Sequence, residues 1–226
     1  MKNEFLLNIG VIIGGESVEH EISLISGLQT ILNLDKKKYN VFPIYLTKEN
    51  EFIYLKKITP DYFKNNHHLN KKPNCYFKRI NKTTYLIHKL KKYKIDCLIP
   101  VVHGKGVEDG TIQALSNLLK IPSTSSNILQ SAISQNKAVT KKLLKLNNIR
   151  MLPFIELDKE YDIKKINKIN ETFNYPLIVK PTTLGSSVGI KTAHDKTELL
   201  EAIKQVLQEE ENNESYGFSI ATMWKI

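Results

Sequence analysis

Residues 5 to 13 form a nearly continuous apolar run, with Ile9, Val11, Ile12 and Ile13 at its end. Such a run, short and rich in β-branched residues, predicts a strand buried on both faces. From His20 to Leu34 the spacing changes: Ile22, Ile25, Leu28, Ile31 and Leu32 recur with helical period. Residues 39 to 47, YNVFPIYLT, predict a second strand, in which Pro43 argues for an edge position or an irregularity. Strand, helix and strand in this order define a βαβ unit, and hence a parallel sheet.

Short strands are expected in EFIYLKK and TTYLIHKL, around a polar, Lys- and Asn-rich segment from 56 to 82 that reads as an insertion. His67 and His68 inside it read as solvated loop residues rather than metal ligands. IDCLIPVVHG, 95 to 104, predicts the clearest buried strand, followed by a helix from Thr111 to Leu119. The stretch IPSTSSN, 121 to 127, has turn chemistry and marks a domain boundary. A single helix is expected near 128 to 146, a buried strand over 175 to 181, and an amphipathic helix over 196 to 208. From about residue 209 no period holds, so that tail is expected to lack structure.

Charge changes this picture little. The 33 Lys and Arg against 23 Asp and Glu give a net +10, a balance found in nucleic-acid binders. Here the lysines are scattered among Asn and Ile with no RNA-binding signature, so a solvated basic surface and no nucleic-acid partner are expected. A basic field nonetheless suits an anionic substrate such as a nucleotide. Two cysteines, Cys75 and Cys97, lack metal-ligand spacing and suit a reducing, cytoplasmic compartment. No apolar run is long enough to span a membrane, and MKNEFLLNIG lacks the core of a signal peptide, so no membrane association is expected.

The candidate chemistry lies where predicted strands end. Gly14-Gly15 is followed by Glu16, Ser17, Glu19, His20 and Glu21, and the strand at 95 to 104 ends in His103-Gly104, then Glu108-Asp109-Gly110. Ser17 as an N-cap, with acidic residues at a helix start, would explain part of the first turn but not its two glycines. In a parallel sheet, ligands bind at the carboxyl ends of the strands, so Glu19 and His103 are expected to share one pocket. In VKPTTLGSSVG, Lys180 offers a point charge to phosphate, and Gly185, Ser186, Ser187 and Gly189 offer N–H and hydroxyl donors. The order is not that of a Walker loop, since the lysine precedes the glycines.

Four stretches, GGESVEHEISLISG, VHGKGVEDGTIQALSNLLKIP, SAISQNKAVTKKLL and YPLIVKPTTLGSSVGI, together resemble the D-alanine–D-alanine ligase family of ATP-grasp enzymes. The resemblance implies an α/β protein: a Rossmann-like parallel-sheet domain over 1–124, then an incomplete ATP-grasp domain over 125–226 with an unmatched tail from about 209. It implies ATP-dependent joining of two D-alanines through an acyl phosphate, for peptidoglycan synthesis. By position, Glu19 matches the carboxylate that receives the first D-alanine's ammonium and His103 the histidine beside it. Lys137 and Lys180 match two lysines that hold ATP phosphates. Gly185, Ser186, Ser187, Val188 and Gly189 match the lid over those phosphates, with Ser186 ordering the site, so Glu19 and Ser186 are the implied catalytic residues. D-alanine and ATP are the implied substrates, with a homodimer as the assembly.

The family continues with a second ATP-grasp half that carries the Mg²⁺ ligands. The resemblance therefore implies a chain truncated at its C-terminus, with no metal ligands and no ligase activity of its own. Its alternatives are a D-alanine–D-lactate ligase of the same layout and a non-catalytic remnant that keeps the fold.

Overall fold

The computed structural model describes residues 6–56, 58–64, 72–157, 163–184, 188–212 and 218–222. The chain divides into two compact units, Met1–Ala132 and Ile133–Ile226.

In the first unit the expected βαβ opening is present: β1 (Leu7–Gly14), α1 (His20–Asn33) and β2 (Tyr39–Leu46), with β1 and β2 paired in parallel. β3 (Phe52–Tyr54) lies antiparallel on the far side of β2, and β7 (Cys97–Val101) lies parallel on the far side of β1. The sheet order is therefore β3-β2-β1-β7. The nearly continuous apolar run of β1 is needed because both of its faces are covered. Ile9, Val11 and Ile13 pack with Leu24 and Ile31 of α1, whereas Ile12 packs with Ile44, Leu98 and Ile112 on the opposite face. Helix and strand touch closely, since a Cβ on Gly27 would lie 2.1 Å from Cγ2 of Ile13.

The edge position inferred from Pro43 is not found, because β2 is paired on both sides. Pro43 lies opposite Val11, and its carbonyl accepts the Leu55 N–H at 2.9 Å, on the β3 side. A strand residue directs its nitrogen and carbonyl to the same side, so the missing N–H falls beside the end of β3 rather than in the β1 ladder. The polar segment is not wholly an insertion either. Its last residues form β4 (Cys75–Ile80), which joins β5 (Thr83–His88) and β6 (Lys91–Lys94) in a three-stranded antiparallel sheet. Cys75, Phe77, Leu86 and Tyr93 turn into the core shared with Phe42 and Ile44, a pattern that the surrounding lysines obscure. His67 and His68 lie outside the described residues.

β7 is shorter and less buried than its sequence suggests. Its outer side carries the 121–127 segment, through Leu98 N–H to Pro122 O at 2.8 Å and Thr124 N–H to Leu98 O at 3.1 Å. α2 (Thr111–Leu119) appears as expected. The single helix expected near 128 to 146 is two, α3 (Ile128–Gln135) and α4 (Lys137–Leu146). Asn136 separates them: it is extended, with ψ of 104°, and its side chain caps α4 by accepting from the N–H groups of Ala138 and Val139.

The second unit holds an antiparallel sheet in the order β10-β9-β11-β8. Its strands are β8 (Phe154–Leu157), β9 (Leu177–Pro181), β10 (Lys191–Ala193) and β11 (Phe218–Thr222). With it go α5 (Ile163–Thr172) and α6 (Lys196–Asn212), whose Ile166, Ile169, Leu199, Ile203 and Val206 form one core with Leu177 and Val179. The expectation of a structureless tail from 209 is overturned for residues 209–212 and 218–222, the rest of the tail lying outside the described residues. α6 continues to Asn212, and β11 is the strand between β8 and β9, with Ile220 fully buried opposite Ile155 and Val179. A five-residue strand supplies too short a pattern to read, and its stability comes from two strands distant in the sequence.

Candidate active site

The first site forms where β1 and β7 end side by side, as the pairing of Ile13 with Val101 requires. Leaving β1, Gly14 and Gly15 both take φ of +95°, which turns the chain sharply before α1. The turn is pinned by His20, which is buried, with Nδ1 2.5 Å from Gly15 O and Nε2 3.2 Å from Tyr45 Oη. A carbonyl can only accept, so Nδ1 carries the proton and Nε2 accepts from the tyrosine. His20 is thus a structural residue. Ser17 does not cap the helix; the cap position is Glu19, with no side-chain cap bond. Ser17 instead accepts the Glu19 N–H at 3.1 Å and donates to His103 O at 2.6 Å, tying the turn to the loop after β7.

That loop brings in the second predicted residue. His103 N–H donates to Ser23 Oγ at 2.9 Å, and Nε2 lies 2.8 Å from Ser26 Oγ. Gly104, at φ of +80°, lies so near the buried Glu19 that an added Cβ would stand 2.9 Å from Glu19 Oε2. Glu19 thus lies against the residue that follows His103, at the ends of neighbouring strands. Other carboxylates line the same loop: Glu108 Oε2 accepts the Gly104 N–H at 3.0 Å and Asp109 Oδ2 the Gly106 N–H at 2.8 Å. Glu16 accepts from Asn50 at 2.8 Å and faces Lys105 at 4.0 Å.

The second unit gathers the opposite charge. Lys137, at the first turn of α4, donates its N–H to Thr182 O at 2.9 Å, and its ammonium reaches the carbonyls of Thr182, at 3.5 Å, and Leu184. Gln135 adds a bond from Nε2 to Thr183 O at 2.7 Å. The start of α4 is thereby held to the residues that leave β9, just after Lys180. One turn further along α4, Lys141 lies 4.7 Å from the Phe154 ring centre. Burial, and then the neighbouring Lys180 charge, hold the Lys141 ammonium below the usual lysine range. Three lysines on α4 and β9 thus flank one strand exit, an arrangement suited to a polyanion. Val188 and Gly189 follow in a turn, while Gly185, Ser186 and Ser187 lie outside the described residues. Among the described residues no group of three or more His, Cys, Asp or Glu side chains gathers to hold a metal ion.

Sequence reasoning missed Ser23, Ser26 and Lys141. The signals were present: serines three apart on the helix EISLISG, and lysines four apart in NKAVTKK, spacings that share a helix face.

A parallel α/β unit with carboxylates at its strand ends, followed by an antiparallel sheet with clustered lysines, is the class of α/β protein that the fold defines. Comparison with known proteins makes the class specific. The description "D-ala D-ala ligase N-terminus" fits residues 8–126, and "D-ala D-ala ligase C-terminus" fits residues 143–213. The chain belongs to the D-alanine–D-alanine ligase family. It is 39% identical over 206 residues to a D-alanine–D-alanine ligase of Thermosipho melanesiensis, covering 89% of this chain and 56% of that relative. The chain thus spans little more than half the length of the curated relatives it matches.

Two solved structures extend the likeness. The VanG D-Ala:D-Ser ligase of Enterococcus faecalis superposes with a TM-score of 0.81 at 27% identity, covering 97% of this chain and 63% of that one. A Bacillus anthracis D-alanine–D-alanine ligase complexed with ATP gives a TM-score of 0.66 at 29% identity, covering 97% and 59%.

Proposed function

We propose that this chain carries the first-amino-acid pocket and the phosphate-holding lysines of an ATP-dependent D-alanine–D-alanine ligase that serves peptidoglycan synthesis. The observation that carries the reading is the buried Glu19 carboxylate lying against Gly104, beside His103. A carboxylate held in such a turn suits the ammonium of a small amino acid, through a charge-assisted hydrogen bond. D-alanine is the substrate named in common by the D-Ala:D-Ala and D-Ala:D-Ser relatives, so it is assigned to the Glu19 pocket.

The lysine cluster fits a triphosphate in both charge and position, and the ATP complex of a relative supports that assignment. Lys137 and Lys180 would hold the phosphates, and the 185–189 loop, with Ser186, would cover them. When bound, ATP supplies the phosphoryl group that activates the carboxylate of the first D-alanine. The chain's own residues orient the reactants: Glu19 and His103 fix the amino acid, and the lysines spread the negative charge of the phosphates. Mg²⁺ has no ligand group among the described residues, and no step is assigned to it. The reading carries with it a cytoplasmic setting and a homodimer. Among the described residues no helix is long and apolar enough to cross a membrane.

Calorimetric titration of D-alanine and of ATP into the purified chain tests the proposal. Glu19→Gln is expected to weaken D-alanine binding by about 10- to 150-fold, the range of a lost charge-assisted bond. Lys180→Ala is expected to weaken ATP and leave D-alanine unchanged. Equal D-alanine affinity in the wild type and Glu19→Gln would sink the pocket assignment.

A further inference from the structure

The His103 ring lies between Ser26 of α1 and Glu108 of its own loop. Ser26 Oγ lies 2.9 Å from Ile22 O, 2.8 Å from His103 Nε2 and 3.5 Å from Ser23 O. A hydroxyl has one proton to give, and a carbonyl can only accept. With that proton on the Ile22 carbonyl, the usual back-bond of a helical serine, Ser26 accepts from Nε2. On the other side of the ring, Nδ1 lies 3.8 Å from Glu108 Oε1. That separation is too long for a hydrogen bond. A proton on Nδ1 of the neutral ring would draw the carboxylate to roughly 2.8 Å, whereas two acceptors facing each other stay apart. Glu108 itself is anchored through Oε2 by the Gly104 N–H at 3.0 Å. Ser23 fixes the His103 backbone, so ring and carboxylate are held independently.

We infer that Ser26 is a positioning residue that fixes neutral His103 as the Nε2–H tautomer, so that Nδ1 and the Glu108 carboxylate present two acceptors to a shared donor. The donor class this pair suits is a primary ammonium, which carries three N–H bonds and a positive charge. This rests on the first-amino-acid reading of the pocket and gives it a direction. Both Glu19 and Glu108 lie against Gly104, so the ammonium is shared between Glu19 and the pair formed by Nδ1 and Glu108. Swapping the tautomer would place an N–H where the substrate presents its own, a repulsive contact.

The tautomer is readable without substrate, from long-range ¹H–¹⁵N spectra of the labelled 226-residue chain. His103 is assigned by the signals lost in His103→Gln. The wild type is expected to show Nε2–H, Ser26→Ala a shift to Nδ1–H, and Ser26→Thr, which keeps the hydroxyl, the wild-type pattern. His20 serves as the folding control, since its Nδ1–H pattern depends on Gly15 and Tyr45 and should not change. An Nδ1–H tautomer in the wild type overturns the inference even if Ser26→Ala fails to fold. An unchanged tautomer in folded Ser26→Ala overturns it as well. D-alanine is then titrated into each chain. Ser26→Ala is expected to lose about three- to tenfold in affinity, the scale of one hydrogen bond, with recovery in Ser26→Thr. An Nε2–H ring with no response to D-alanine supports the tautomer assignment and counts against the substrate reading, which separates the two failures.

Discussion

The two units handle charge in opposite ways. Around Glu19 the carboxylates are each met by short, local donors: Glu108 and Asp109 by N–H groups of their own loop, and Glu16 by Asn50. Around Lys180 the ammonium groups are met by carbonyl oxygens and an aromatic ring, and two of them crowd each other. The first arrangement holds its carboxylates in place with N–H donors, suited to a small zwitterion. The second gathers ammonium groups on carbonyl oxygens and a ring, suited to a ligand that brings several negative charges. The net +10 of the chain hides this contrast, because most lysines are solvated and only a few are gathered.

The largest effect that would break the comparison is structural. Ile220→Ala removes a fully buried side chain between β8 and β9 and should cost the second unit about 2–5 kcal/mol. Hydrogen exchange should then show lost protection in residues 154–157 and 177–181 and unchanged protection in 7–14 and 97–101. Equal loss in both sets would mean that the units unfold as one. The counterpart in the first unit is Gly27→Ala, which forces a Cβ against Ile13 and should cost about 1–3 kcal/mol, with the protection pattern reversed.

The pH response should sharpen the contrast further. Burial pushes the Cys75 thiol from 9.0 up to about 12. The neutral thiol is favoured in the fold, so its stabilisation is intact below 9.0 and is lost as pH rises towards 12. Lys141 behaves oppositely: its folded value lies below 10.5, so the unfolded chain binds more protons and stability rises with pH up to 10.5. Between 9.0 and 10.5 the Cys75 contribution should weaken the first unit while the Lys141 contribution strengthens the second, as read by exchange rates corrected for intrinsic pH dependence. Cys75→Ser should flatten the first slope and Lys141→Met the second. The smallest expected effect is chemical: Cys75 should resist iodoacetamide at pH 8, because its thiolate is scarce there. Rapid labelling of Cys75 in the folded chain would contradict its burial.

The parallel core was legible because periodicity determines it. Val11 and Ile12 point to opposite faces of one strand, so both faces had to be covered, and that placed Glu19 and His103 at the ends of strands in a parallel sheet before any coordinates. Three features were not legible, for different reasons. β11 depends on partners far away in sequence, which no local pattern reports. The break at Asn136 depends on a cap that outweighs an unbroken helical period. The roles of Ser26 and Lys141 depend on which way a helix face points, and apolar spacing misplaces that face in α1, where Ile22 and Ile25 are exposed while Ser23, Leu24, Gly27 and Ile31 are buried. Pro43 misled because a missing N–H matters only on the side where a partner asks for one.

The position of β11 also orders events in time. Ile220 pairs with Ile155 and with Val179, so β11 leaves the ribosome after both of the strands that it joins, whereas Ile9 finds Val41 early in synthesis. Contacts between distant segments close slowly. The acidic pocket should therefore mature while the lysine cluster still lies on an open sheet. During that interval β8 and β9 each expose an unpaired edge, the kind of surface that invites association with other chains. Holding that edge unpaired until residue 222 emerges is the chain's point of greatest exposure to misassembly and to chaperones.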